Sequence, residues 1–282
     1  MKSINIFLLF MLLMTSCDLY SPLPIESNDE NPKLVVNALL DGHATNKLRV
    51  HISQSQPLVS DTNKILLANL YLDDAVVLFF ENDELIDTLI HSGEGYYQLT
   101  NEIIPTVNYT YRLEVFHDDF ENVKTEAVLF PEEANVTTSI RTAVAHSNKD
   151  IIRFSIDDEA AVSNFYEMEA ESKIDSVMEN AYISFGGIIP DVACGLGVLI
   201  FPDYCFDGES FTNEFEITNT DVTKVIFTLH TVSESYYNSY QNQQGTTLDA
   251  FQQVFAEPST YYSNVENGYG IFYARNTVQI EL

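Results

Sequence analysis

From Lys33 onward, apolar and polar residues alternate with a period of two in short runs separated by turn residues. That is the signature of strands with one buried face, because successive side chains of a strand point to opposite sides. The runs are LVVNALL (34–40), closed by Asp41-Gly42; LRVHISQS (48–55), stopped before Pro57; AVVLFFEN (75–82); LIDTLI (85–90); GYYQL (95–99); YTYRLEVF (109–116); and VKTEAVLF (123–130), ended by Pro131. This density of strands with short connections predicts an antiparallel sandwich of immunoglobulin or transthyretin type over 33–131.

A second β-rich domain is expected over 132–282. IIRFSIDD (151–158), NFYEMEAESKI (164–174), FTNEFEI (211–217) and KVIFTLHTV (224–232) read as strands, and GIFYARNTVQIEL (270–282) as a final strand or strand pair. In 164–174, Phe165, Glu167 and Glu169 share one face, which the acids make compatible with solvent. Residues 180–210 are rich in Gly and Pro and are expected to be a long loop. SESYYNSYQNQQ (233–244) instead predicts a helix, with Ser233 as N-cap and Tyr236, Tyr237 and Tyr240 on one side, and TLDAFQQVF (247–255) is expected to continue it after a break at Gly245. The fold class is therefore mainly all-β, with one or two short helices.

The first residues belong to neither domain. MKSINIFLLFMLLMTSC has one early positive charge, an apolar run too short to span a bilayer, and small residues before Cys17. The order resembles a bacterial lipobox, in which the cysteine thiol takes a diacylglyceryl group before cleavage. Residues 1–16 are then a lipoprotein signal peptide and Cys17 the lipidation site. Residues 17–32, rich in Pro, Asn, Ser and acids, form a flexible tether. Two or more acyl chains give lasting attachment at about 0.8 kcal/mol per buried methylene. With Cys17 acylated, Cys194 and Cys205 remain. In an oxidising compartment such a pair reads as a disulfide, worth about 3 kcal/mol on a chain-entropy view.

The net charge of -29, from 13 basic and 42 acidic residues, argues against nucleic acid, whose phosphates would be repelled. It also argues against electrostatic adhesion to anionic lipid, which leaves the acyl chains as the membrane contact. No catalytic signature is found: HExxH, GxSxG, SxxK and the P-loop are all missing. The histidines at 43, 51, 91, 117, 146 and 230 include no pair at metal-ligand spacing. His117-Asp118-Asp119 with Glu121 reads as a solvated turn. Asp157-Asp158-Glu159 and Asp73-Asp74 are neighbouring acids on turns. The acidic loop Asp203 to Glu209 lacks EF-hand spacing. No metal, cofactor or catalytic residue is assigned. Tyr236, Tyr237, Tyr240, Tyr261, Tyr262 and Tyr269 are the candidate interface, since tyrosine joins apolar area to a hydroxyl. Asp87-Thr88-Leu89 and Asp175-Ser176-Val177 resemble short O-glycosylation sequons.

AEPSTYYSNVENGYGIFYARNTVQI (256–280) is the most distinctive segment. With PKLVVNALLDG, LRVHISQSQPL, GYYQL, YTYRLEV and HTVSESYYNSYQ upstream, it resembles the family called domain of unknown function 4249, over roughly residues 33–282. The resemblance implies a Bacteroidota outer-membrane lipoprotein, often encoded beside a TonB-dependent transporter. It carries no catalytic residues over to this chain, and segment 186–208 does not match a general family feature. Asn267-Gly268 and Gly270 supply positions able to take positive φ, so this motif reads as a sharp turn back into the core.

The function expected is that of a lipid-anchored protein on the periplasmic or cell-surface face of the outer membrane. It would be a non-enzymatic accessory or ligand-binding subunit of a TonB-dependent transporter. The alternative is a carbohydrate-active or peptide-processing surface enzyme, which needs two acids converging in an aromatic cleft. A further alternative is an adhesin or assembly factor.

Overall fold

Every alternating run identified above forms strand, because each has an apolar face to bury and a polar face that can remain wet. The structure is a computed structural model that describes residues 31–55, 70–144, 147–174, 177–185, 191, 196–218, 222–246 and 262–282. The expected signal peptide, Cys17, Cys194, Tyr261 and the helix expected over 247–255 lie outside the described residues.

The first half contributes β1 (Leu34–Asp41), β2 (Leu48–Gln54), β3 (Val76–Glu81), β4 (Glu84–Thr88), β5 (Ile90–Gly93), β6 (Tyr96–Gln98), β7 (Thr110–Phe116), β8 (Val123–Thr125) and β9 (Val128–Leu129). The second half contributes β10 (Val136–Ala143), β11 (Lys149–Asp157), β12 (Phe165–Ile174), β13 (Val177–Asn180), β14 (Ile183–Ser184), β15 (Ile200–Pro202), β16 (Ser210–Thr218) and β17 (Val222–Val232). The helix α1 (Glu234–Thr246), β18 (Val265–Glu266) and β19 (Tyr269–Glu281) complete the described elements.

The strands form three sheets. A nine-stranded sheet runs β13-β12-β17-β19-β1-β2-β6-β5, with β15 also on β12. A six-stranded sheet, β18-β8-β7-β3-β4 with β9 on β7, belongs mostly to the first half, and a four-stranded sheet, β10-β11-β16-β14, to the second. β19 is central to this arrangement. It lies parallel to β1, with Val36 opposite Gly270 and Asp41 opposite Arg275, and antiparallel to β17, with His230 opposite Thr277. The parallel pair departs from the purely antiparallel arrangement expected, because the last strand inserts beside the first.

Alternation along β19 builds two cores on one face of the large sheet. Phe272 and Ala274 join Val36, Ala38, Val50, Ile52, Val77, Phe79, Tyr111 and Leu113 in the first core. Val278 and Ile280 pack against the second, which holds Ile152, Phe154, Met168, Phe215, Phe227 and Leu229. Each fully buried large apolar side chain contributes about 1.5–3 kcal/mol. Asn276 lies between the two groups, and its Nδ2 donates to the Pro131 carbonyl at 3.2 Å. The boundary expected at 131/132 thus crosses over a single sheet shared by both halves.

β10, β13, β14, β15 and β18 have no counterpart in the sequence reading. VTTSIRTA of β10 is mostly exposed, and β13 is exposed throughout. Such strands exist because a neighbour offers backbone partners, and their side chains carry little apolar periodicity. The stretch 180–210, expected as loop, contains β14 and β15.

Candidate functional site

The odd-numbered residues of β19 face away from the cores. Across that face, Glu167 of β12 lies opposite His230 of β17, which lies opposite Thr277 of β19. One step along, Arg275 lies opposite Asp41 of β1. Arg275 donates to Asp41 Oδ2 through Nε at 2.9 Å and through Nη2 at 2.8 Å. Burial alone would raise the Asp41 carboxyl. The backbone N–H groups of His43 and Ala44 and the Arg275 guanidinium outweigh burial and hold it below the usual range.

Beside this ion pair, Glu167, Glu169 and His230 each offer an atom within 4.8 Å of the other two. His230 is 3% exposed. Its Nδ1 is 2.7 Å from Thr277 Oγ1, and its Nε2 is 3.5 Å from Glu169 Oε2. That separation suits an ion pair better than a hydrogen bond, and Nε2 has no hydrogen-bond partner among the described residues. Tyr236 of α1 donates its hydroxyl to Glu167 Oε1 at 2.6 Å. Burial raises the Glu167 carboxyl, against the pull of Tyr236 and His230. Glu169 moves the other way: contact with the His230 imidazole outweighs burial and lowers it. The two glutamates, one turned under the helix and one toward solvent, therefore differ in environment.

α1 is held on this face by its own N-terminus. Ser233 precedes the helix as expected of an N-cap, but its hydroxyl accepts from the Ala274 N–H of β19 at 3.1 Å. The Ser233 N–H donates to the Ala274 carbonyl at 2.9 Å, and Ser235 Oγ donates to the Phe272 carbonyl at 3.1 Å. The cap position thus fastens helix to strand. Tyr237 stacks on Phe165 at 4.8 Å and Tyr236 lies 4.8 Å from Tyr273.

The tyrosines expected as an interface are therefore divided. Tyr237 is 8% exposed, and Tyr236 and Tyr240 pack with it against Phe165, Ile200 and Val232. Their apolar area helps to seat the helix on the sheet. Tyr262 lines a cleft, and Tyr269 is exposed beneath the Lys33 ammonium at 5.3 Å.

The distinctive C-terminal motif is structural. Asn264, 2% exposed, accepts from the Phe272 N–H at 2.9 Å and donates to its carbonyl at 2.7 Å, in place of a strand partner. Asn267 has φ 62° and Gly270 φ 110°. A Cβ on Gly270 would stand 2.1 Å from the Val36 carbonyl oxygen. The glycine is what lets β19 lie against β1 at that point.

A cleft of about 680 Å³ opens between the 126–135 crossover, the 157–166 turn and the start of α1. Its carboxylates are Glu126, Glu132, Glu133, Asp157, Asp158, Glu159 and Glu234, it has no Lys, Arg or His in its lining among the described residues, and its aromatic lining residues are Tyr262 and the buried Phe165 and Tyr166. Asp158 serves the fold: it accepts from Tyr166 Oη at 2.8 Å, the Gly208 N–H at 3.0 Å and Asn164 Nδ2 at 3.2 Å. In the acidic loop considered for calcium, Asp203 accepts from the Asn164 N–H at 2.5 Å and Asp207 from the Ala161 N–H at 2.7 Å. These carboxylates pin the 158–164 turn. Likewise His117 is tied to Asp74 at 2.9 Å and to the Asp119 N–H at 3.1 Å, which closes the β7–β8 connection. Cys205 lies in the loop before β16, and its expected partner is outside the described residues.

Glu167, Glu169 and His230 were not grouped from the sequence. The Glu-x-Glu alternation in NFYEMEAES was the available signal, but strand pairing alone brings His230 beside it. A search among curated proteins finds no match. In a comparison with protein families, residues 20–281 match the family described as Domain of unknown function (DUF4249). Because that match spans nearly the whole strand framework, from β1 to the end of β19, the chain belongs to the domain of unknown function 4249 family.

Proposed function

We propose that this protein is a lipid-anchored, non-enzymatic ligand-binding subunit that works beside a TonB-dependent transporter of the outer membrane. The single observation that carries the binding role is the cleft with seven carboxylates and, among the described residues, no basic one in its lining. Such a surface favours a cationic or multiply hydroxylated ligand, because field lines from one sign of charge concentrate in a concave site. The leader ending in Cys17 supports the anchor, and family membership supports the setting. A Cys194–Cys205 disulfide, formed after export, would brace the loop beside β15.

The test is purification of the native protein from detergent-solubilised outer membrane, followed by mass spectrometry. The expected result is a transporter in the same complex, acyl chains on Cys17, and a cysteine pair that resists alkylation until reduced. A solitary protein with an unmodified amino terminus would refute both address and companion.

A second reading is favoured by the same cleft: acids beside Phe165 and Tyr262 are the ingredients of a glycan-processing site, where two carboxyls stand about 5–9 Å apart. Turnover on glycan or peptide panels would establish it in place of the binding role.

A further inference from the structure

Apart from the acidic cleft, we propose that Glu167, Glu169 and His230 form a binding site for a divalent transition-metal ion, of which zinc is the natural probe. Two kinds of observation meet here. Three donor atoms, from two strands, lie within 4.8 Å of one another. His230, 3% exposed, has a buried Nε2 with no hydrogen-bond partner among the described residues, and it lies 3.5 Å from Glu169 Oε2. A buried nitrogen whose nearest acceptor stands 3.5 Å away is poorly satisfied, and a bound cation would satisfy it.

The surroundings orient the donors as metal sites require. Metal binding uses the tautomer in which His230 Nδ1, 2.7 Å from Thr277 Oγ1, is the donor, since that leaves the lone pair on Nε2, on the side of the glutamates. Tyr236 holds Glu167 Oε1 at 2.6 Å and leaves its other oxygen available. Glu169, with 56% of its side chain exposed, provides both the entry route and the freedom to close. Ligand atoms about 2.0–2.2 Å from zinc stand roughly 3.3 Å apart, so an inward movement of about 1 Å completes the set, with water in the remaining position. Charge agrees as well. Arg275 bonds Asp41 at 2.8 Å, which leaves the two glutamates to face a dication. An imidazole with two carboxylates suits zinc and its first-row neighbours better than calcium, which prefers oxygen alone.

The experiment uses the full-length chain in detergent, stripped with chelator and held at about 0.15 M salt to screen diffuse attraction to the acidic surface. Zinc is titrated calorimetrically, and cobalt(II) is followed by its visible absorption. One ion should bind per chain, with a cobalt spectrum of tetrahedral or five-coordinate type. E169Q, at an exposed position that leaves the fold intact, should weaken zinc binding at least about tenfold, and T277V about 10–100-fold. H230Q should abolish the cobalt spectrum. E84Q, exposed on β4 and outside both sites, should change neither. Lack of a one-to-one event, or equal binding by wild type and E169Q, would overturn the assignment. Loss of the transporter partnership with zinc binding intact would remove the proposed function and leave this site standing.

Discussion

Replacing Gly270 by alanine should be among the most damaging single-methyl changes in this protein, and Gly93 supplies the control. Both have positive φ, 110° and 116°. A Cβ at Gly93 would meet nothing within 4 Å, whereas one at Gly270 would stand 2.1, 2.7 and 2.9 Å from the O, C and N atoms of Val36. The two substitutions therefore share a backbone strain of about 1–3 kcal/mol and differ only in the clash. Relieving that clash means parting β1 from β19 by about 1 Å at Val36–Gly270, the second pair of their parallel ladder. Weakening the hydrogen bonds on either side, at about 0.5–1.5 kcal/mol each, brings the total for G270A to roughly 2–6 kcal/mol. Urea unfolding followed by far-ultraviolet circular dichroism, with the midpoint shift converted through a common slope, measures both. G270A should lose about 2 kcal/mol more than G93A. Equal losses, within about 0.5 kcal/mol, would show that close approach of the strands is not why glycine is needed, and the reading of the motif as a backbone device would fail.

Two more perturbations probe the same framework. N264A removes both side-chain bonds to Phe272, while Ser235 still reaches its carbonyl; the buried N–H left unpaired predicts a loss of about 2–4 kcal/mol in thermal or urea unfolding, and a change below about 0.5 kcal/mol would refute the strand-surrogate role. D41N tests the Arg275 pair through pH. Because Asp41 is lowered in the folded state, its stabilising contribution is fully present above the unfolded value of about 3.9 and is lost as pH falls through the folded value. The stability gap between wild type and D41N should be widest near neutrality and should narrow on acidification below about pH 4; a gap independent of pH would mean that the ion pair contributes nothing through ionisation.

Family membership and the all-β class were legible because both live in local order. Alternation in LRVHISQS or YTYRLEVF forces strands wherever one face can be buried, and Asn267-Gly268 with Gly270 announces a turn in any setting. What could not be read were partners distant in sequence. Glu167 and Glu169 look like a solvated face of NFYEMEAES, and His230 like a lone polar residue in KVIFTLHTV. Nothing short-range links them, since their meeting depends on antiparallel pairing of β12 with β17 in one particular register. A slip of one residue would send His230 into the core.

The tyrosines carry the same lesson. Their number and spacing on α1 were visible, but whether Tyr236 and Tyr237 meet a partner or the molecule's own sheet depended on where the helix was fastened. The Ser233–Ala274 contacts decided that. By itself the sequence determined which alternating segments are strands and where the chain turns between them, because these follow from side-chain period and backbone steric limits. Only the tertiary structure decided that the last strand lies parallel to the first, that both halves share one sheet, and that an acidic cleft and a histidine–glutamate cluster form on it. Those features are contacts between residues far apart along the chain, and their energy exists only once the strands have found one another.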